Sequence, residues 1–327
     1  MPSSSPPAPL PGPDRDDRAA ERSASDAALK AAAERWKRAE ERQEPPELCC
    51  PSPARMREVL LRRPNSYSME REWCRRAERV MPGLPDVARA ENEFLARAVA
   101  FAAENRGIDR FLVLGDALPF SFPAVDHVVA AGSGQAVYAG DDKVVVAQWR
   151  AHDAGRRAVD GVDGSFLVPG TVLFADAVRG SLAPGAPVCL LLTGLFETIP
   201  DTDAAATALR ACVERLPARS VVVATHASVD GLDPGEPEDM LLERKMREVC
   251  RLYEYHHRPP RSLRTAAGFR RVLGDRPELA ASVVPAVEWN NPDRAAGSRA
   301  ESLCLAVVAE VTGTGALGAA GGPGARA

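Results

Sequence analysis

Long apolar runs are missing from this chain. The best candidate, Val188 to Phe196, is interrupted by Thr193 and Gly194 and falls well short of the roughly 18–20 residues that a membrane helix needs, so no membrane partner is expected. Cysteine motifs are missing too. The seven cysteines are odd in number and irregularly spaced, with no C-x-x-C, which excludes the common zinc ribbons and redox dithiols. The five histidines do not stand at ligand spacing from them, and the adjacent His256 and His257 cannot share one helix face. No metal is expected. A positive excess is also absent: the formal net charge is −4, which argues against a nucleic-acid partner held by bulk charge. There is no P-loop and no G-x-S-x-G, so a phosphate cradle of that type and a hydrolase elbow are excluded. Gly132-Ser133-Gly134 precedes an apolar run rather than following one, so it reads as a turn and not as a dinucleotide fingerprint.

What remains is enough apolar material for a core. Hydrophobic residues make up 45% of 327 positions, which allows one large domain or two small ones. Met1 to Asp17 is Pro/Ser-rich without an apolar stretch, so no secretory signal is expected. Cys189 and Cys304 lie in apolar patterns and read as small core residues; a reduced, cytoplasmic protein is the expectation. The chain up to about Asp26 reads as disordered, and Ser25 to Gln43 as a mostly solvated helix that Glu44-Pro45-Pro46 ends. Beyond Thr312 the chain is Gly/Ala-rich and reads as a flexible tail. The expected division is an extension over 1–47, one folded domain over 48–311 and a disordered tail over 312–327.

Inside the domain, helical and extended patterns alternate. Leu84 to Asn105 carries Val87, Phe94, Leu95, Ala98 and Val99 on a helical stripe. Extended runs are expected at Arg110–Leu114, Ala136–Ala139, Thr171–Ala175, Val188–Leu192, Ser220–Thr225, Ser282–Val287 and Ser302–Val311. Val188–Leu192 is apolar throughout, as in the middle of a parallel sheet. Helices are expected between the extended runs, at Val144–Ala154, Asp203–Leu216, Glu238–His256 and Ser262–Leu273. Such alternation predicts an α/β doubly wound sheet. The last two strands are joined by a loop alone and can pair antiparallel, which makes the sheet mixed.

Ligands of open α/β sheets bind outside the carboxyl ends of the strands. Residues there are Gly115 and Asp116 after the first expected strand, Asp141 and Asp142 after the second, Asp176 after Thr171–Ala175, then Thr193, Gly194, Glu197, Thr225 and His226. A small residue after the first strand, a carboxylate after the second and a polar group after the third suit a nucleoside's backbone contact, ribose and adenine in that order. Glu197 and His226 are the candidates for a base.

The stretch Phe111-Leu112-Val113-Leu114-Gly115-Asp116-Ala117-Leu118-Pro119 resembles the first glycine motif, F-L-D-I-G-T-G-L-P, of actinobacterial S-adenosylmethionine-dependent methyltransferases. The helix beginning Ala88-Arg89-Ala90-Glu91-Asn92 is similar to the family's A-R-A-N-R. The segment from Pro53-Ala54-Arg55 to Glu70-Arg71 resembles its entry motif. Phe174-Ala175-Asp176 matches its third acidic position, and Ile199-Pro200-Asp201, Thr225-His226-Ala227 and Pro285-Ala286-Val287-Glu288-Trp289 resemble later landmarks. The resemblance covers roughly Pro51 to Val311. It implies a Rossmann-like sheet of the class I methyltransferase type with an N-terminal helical extension. It also implies S-adenosylmethionine as cofactor, with Gly115, Asp116, Asp141, Asp142 and Asp176 around it, and a small-molecule acceptor that it does not specify. No oligomeric state is signalled. The departures fall on the cofactor motifs. The family's motif Asp is Val113 here and its second glycine is Ala117. Its ribose carboxylate is Gly140, its Tyr-Asp pair is Arg57-Glu58, its Gly-Gly pair is Arg62-Arg63, and its His before the Val-Pro-Asp landmark is Glu197. These departures leave a second expectation open: a non-catalytic relative that keeps the fold and serves as an interaction module.

Overall fold

The computed structural model describes residues 15–40, 51–115, 117–118, 121–131, 134–152, 159–181, 185–254, 261–274, 282–292, 297–312 and 317–319. Helix α1 (Arg15–Glu40) is followed by α2 (Pro53–Leu60), α3 (Ser68–Val80) and α4 (Leu84–Ala100), which runs on as one π-helical turn to Asn105. Strands and helices then alternate: β1 (Arg110–Gly115), α5 (Pro123–Ala131), β2 (Gln135–Gly140), α6 (Lys143–His152) and β3 (Val159–Asp163). Next come α7 (Gly170–Leu173), α8 (Asp176–Ser181), β4 (Cys189–Thr193), α9 (Thr202–Val213) and β5 (Val221–Ala227). The described chain closes with α10 (Pro237–Leu252), α11 (Ala266–Leu273), β6 (Val284–Pro285), β7 (Cys304–Val311) and β8 (Leu317–Ala319).

The doubly wound mixed sheet expected from the alternation is present. Its order is β3-β2-β1-β4-β5-β7-β6, with β8 also paired to β7. Strands β1 to β5 are parallel, and β7 enters antiparallel between β5 and β6. Alternate residues of each central strand face opposite layers. Phe111, Val113, Cys189 and Leu191 join the core under α2 to α6 and α10; Leu112, Leu114, Leu190 and Leu192 join the one under α7, α8, α9 and α11. Every residue of β4 is fully buried, because the strand is covered on both faces and paired on both edges.

Four expectations are corrected. Thr171–Ala175 is no strand: it lies largely in α7, where Thr171 Oγ1 donates to the Val168 carbonyl at 2.8 Å and turns the chain. The third strand is Val159–Asp163, at the sheet's edge. Its Asp and Gly residues hide it from propensity, yet a Cβ at Gly161 would lie only 2.8 Å from that of Trp149, so α6 packs where nothing larger fits. Helix α1 begins at Arg15 rather than near Ser25, because its middle is docked: the Asp26 carboxylate accepts from Arg215 Nη2 at 2.6 Å. Residues 317–319, expected in a flexible tail, pair with Ala309–Val311 in β8, which supplies their backbone hydrogen bonds.

Candidate active site

The sheet order reverses between β1 and β4, so the loops at their carboxyl ends part and leave a crevice. Gly115 ends β1 with φ of +115°, and a Cβ there would sit 2.1 Å from the Thr193 carbonyl oxygen of β4. Only glycine meets both conditions. The turn that follows is clamped from α2. Glu58, fully buried, accepts from Ser121 Oγ at 2.9 Å, Ser121 Oγ accepts from the Leu118 N–H at 2.8 Å, and Arg63 donates to the Ser121 carbonyl at 2.9 Å. Two of the departures in the entry motif, Glu58 and Arg63, therefore hold the turn after β1.

A third departure, Arg57, reaches the crevice itself. Its Nη1 donates to Glu91 Oε2 and to Thr193 Oγ1, both at 2.8 Å. Glu91 Oε1 accepts from Thr193 Oγ1 at 3.0 Å and from Thr225 Oγ1 at 2.5 Å. One partly buried carboxylate thus ties α2 and α4 to the ends of β4 and β5. Sequence reasoning named Thr193 and Thr225 as strand-end residues but assigned no role to Arg57 or Glu91. The only signal for Glu91 was a charge on an otherwise apolar helix face.

Beside this cluster, beyond the ends of β4 and β5, lies a cavity of about 90 Å³. Its apolar walls come from α2, α4 and α10, and Arg57, Glu91, Glu197 and Arg261 reach it. Glu197 is nearly fully buried on the short 3-10 turn after β4. Its Oε1 accepts from the Ala227 N–H at 2.7 Å and lies 3.5 Å from His226 Nδ1, while Oε2 has no hydrogen-bond partner. Burial pushes this carboxyl's pKa up, but the attraction of His226 and Arg261 and the Ala227 N–H outweigh it and hold the pKa down to about 2. The two base candidates are thus brought together, with His226 fully buried against the Phe269 ring.

The carboxylates read as nucleoside contacts separate. Asp116 lies outside the described residues. Asp142 Oδ1 accepts from the Val144 and Val145 N–H groups at 3.0 and 3.2 Å and so caps α6. Asp141, directly after β2, is exposed. Gly140 is covered: a Cβ there would already touch the Trp149 ring at 3.4 Å. Asp176 follows no strand, since it opens α8 and is exposed. It nevertheless lines a second cavity, of about 470 Å³, together with Trp36, Lys143 and Asp163. Asp163, at the true end of β3, is the acidic residue that sequence reasoning missed because it missed the strand.

A family model described as S-adenosyl methyltransferase matches residues 40–314. The chain belongs to that family. Two solved structures similar to this methyltransferase-family chain are a candidate methyltransferase from Thermobifida fusca YX and a DUF574 family protein from Streptomyces avermitilis MA-4680. The first is 24% identical with a TM-score of 0.67, over 81% of this chain and 97% of that one. The second is 23% identical with a TM-score of 0.67, over 79% and 96%. At these identities the likeness is one of fold, the class I methyltransferase type. No curated protein sequence matches the chain. Among the described residues of this family member there is no group of side chains suited to a metal ion and no helix long and apolar enough to cross a membrane.

Proposed function

We propose that the protein is an S-adenosylmethionine-dependent methyltransferase whose acceptor enters the 90 Å³ cavity. The observation that carries this reading is the place of that cavity. It adjoins Gly194, immediately after β4, at the crevice where the sheet order reverses, and acceptor and cofactor have to meet at one opening of the sheet.

The residues present fit a nucleoside ligand. Asp141 follows β2, and the 470 Å³ cavity beside β3 carries Asp163, Asp176 and the Trp36 indole. We assign the ribose to Asp141, because Asp142 uses Oδ1 to cap α6 and Trp149 covers the position of Gly140. Adenine is assigned to Asp163 and Asp176, and the amino-acid end to the turn at Gly115. The cofactor, when bound, supplies an activated methyl group. The chain's part is to hold and orient the acceptor and to exclude water, which is the larger share of catalysis when the acceptor is already nucleophilic.

Calorimetric titration of the full chain with S-adenosylmethionine and its demethylated product tests this. Micromolar binding is expected, weakened about tenfold by Asp141→Ala and by Asp163→Ala, the worth of one hydrogen bond to a charged group. Asp142→Ala should instead lower thermal stability through loss of the cap while leaving affinity nearly unchanged. Gly115→Val is a poor probe of binding, since its side chain collides with the Thr193 carbonyl before any ligand is met. Absence of binding at millimolar ligand would reject the enzyme reading.

A further inference from the structure

Glu197 Oε2 is an acceptor of a carboxylate that is nine-tenths buried, lines the 90 Å³ cavity and lacks any hydrogen-bond donor. Such an atom is costly to leave unpaired. The charges around it balance in pairs. Arg57 is bridged to Glu91 at 2.8 Å, and Glu197 is attracted by His226 and Arg261. The two thiols on the cavity wall, Cys250 and Cys304, are kept neutral, since burial pushes their pKa values well up. The remaining walls are apolar, with Leu60, Val87 and Met246 among them. The cavity, at 90 Å³, is smaller than the roughly 150 Å³ that benzene occupies in an engineered core, so it suits a ligand with a small apolar body.

We propose that this cavity binds a small, uncharged, hydroxyl-bearing molecule with an apolar body, whose O–H donates to Glu197 Oε2. This rests on reading the cavity as the acceptor site. A cation would satisfy Oε2 equally, but it would enter beside Arg57 and Arg261. A carboxylate would satisfy Arg57 Nε and Nη2, which also lack acceptors, but it would set a third anion beside Glu91 and Glu197. A neutral hydroxyl leaves the balance intact. The methyl ether of the same molecule has no hydrogen to donate to Oε2 and is held more weakly than the alcohol.

The test is ligand-observed NMR titration of the full chain at pH 7, without cofactor, using isobutanol, isobutyl methyl ether, isobutylamine and isobutyrate. Isobutanol is expected to bind tightest, about tenfold or more above the ether, the worth of a hydrogen bond to a charged acceptor. In Glu197→Gln the side-chain carbonyl keeps the Ala227 N–H and the amide nitrogen replaces Oε2. The alcohol-to-ether ratio should then fall to about one. Ala88→Leu, which fills the cavity from α4, should abolish binding of all four. If Glu197→Gln does not fold, the ranking on wild-type protein and the Ala88→Leu variant still decide. Tightest binding by the amine or by the carboxylate, an unchanged ratio in folded Glu197→Gln, or no binding of any probe overturns the proposal. The ranking needs no cofactor. A chain that shows it yet takes up no S-adenosylmethionine refutes the transferase reading alone, whereas cofactor uptake without the ranking refutes this proposal alone.

Discussion

A guanidinium removed from water has to find a carboxylate, and Arg57 finds Glu91. Its side chain is only 7% exposed and that of Glu91 15%, so solvent screens the pair weakly and either partner alone would be an uncompensated buried charge. Glu91→Gln removes the charge but keeps the shape, and it leaves Arg57, Thr193 and Thr225 with a poorer acceptor. A loss of about 3–5 kcal/mol is expected in urea denaturation. The double variant Arg57→Met with Glu91→Leu should recover part of that loss, because no charge is orphaned, although the buried Thr193 and Thr225 hydroxyls lose their acceptor. A double variant as unstable as the single one would show that the site depends on the ion pair itself. The same residues explain why the cofactor motifs look eroded in sequence. Arg57, Glu58 and Arg63 stand where the resemblance leads one to expect other types, and each is held by partners at distant positions: Glu91, Ser121 and Asn92. Partnerships over such separations leave no local pattern to read.

Elements whose burial is periodic were legible, and elements whose existence depends on a neighbour were not. Helix α4 shows its stripe because one face meets the sheet. Strand β3 shows nothing, because an edge strand with two aspartates and a glycine owes its place to Trp149 and β2 rather than to its own propensity. The Thr-Val-Leu-Phe run reads as a strand by composition and is a turn of helix by context. Helix α1 is the same lesson at greater length. It is hydrophilic enough to read as solvated, yet Gly170 accommodates it. A Cβ there would lie 2.3 Å from the Leu29 carbonyl oxygen. Ala33 is buried against that corner, and Lys30 sits over the Phe174 ring at 5.1 Å. Gly170→Val and Arg215→Ala should therefore act alike and release α1 while the sheet stays folded. Hydrogen exchange should speed up across Arg22–Arg38 and stay slow in β4 and β5. Equal protection of α1 in wild type and variants would mean that the docking contacts contribute nothing.

At the scale of the whole molecule, the order of the strands decides where a charge can be tolerated. Chain order and apolar runs identified Val188–Leu192 as a strand buried on both faces, and β4 is that strand. They did not reveal that β7 slips between β5 and β6, because strand order is set by crossover connections and not by any residue within the strands. The consequence is a gradient of tolerance from centre to edge. Leu191 is fully buried between β1 and β5 and faces the core under α2 to α6. An aspartate there would have to be neutralised or left unpaired, on top of the roughly 2–5 kcal/mol lost when a buried leucine is cut down. The sum rivals the 5–15 kcal/mol that holds a typical domain together, so Leu191→Asp should yield no soluble folded protein. Val159 carries a similar side chain on a strand of the same sheet, but β3 is the edge and Val159 is only half-buried. Val159→Asp can turn its carboxylate toward water and should give a soluble protein with a native circular dichroism spectrum and a moderately lowered Tm. If Leu191→Asp folds as well as Val159→Asp does, β4 cannot be central, and the crevice between β1 and β4 on which the site depends would have to be abandoned with it.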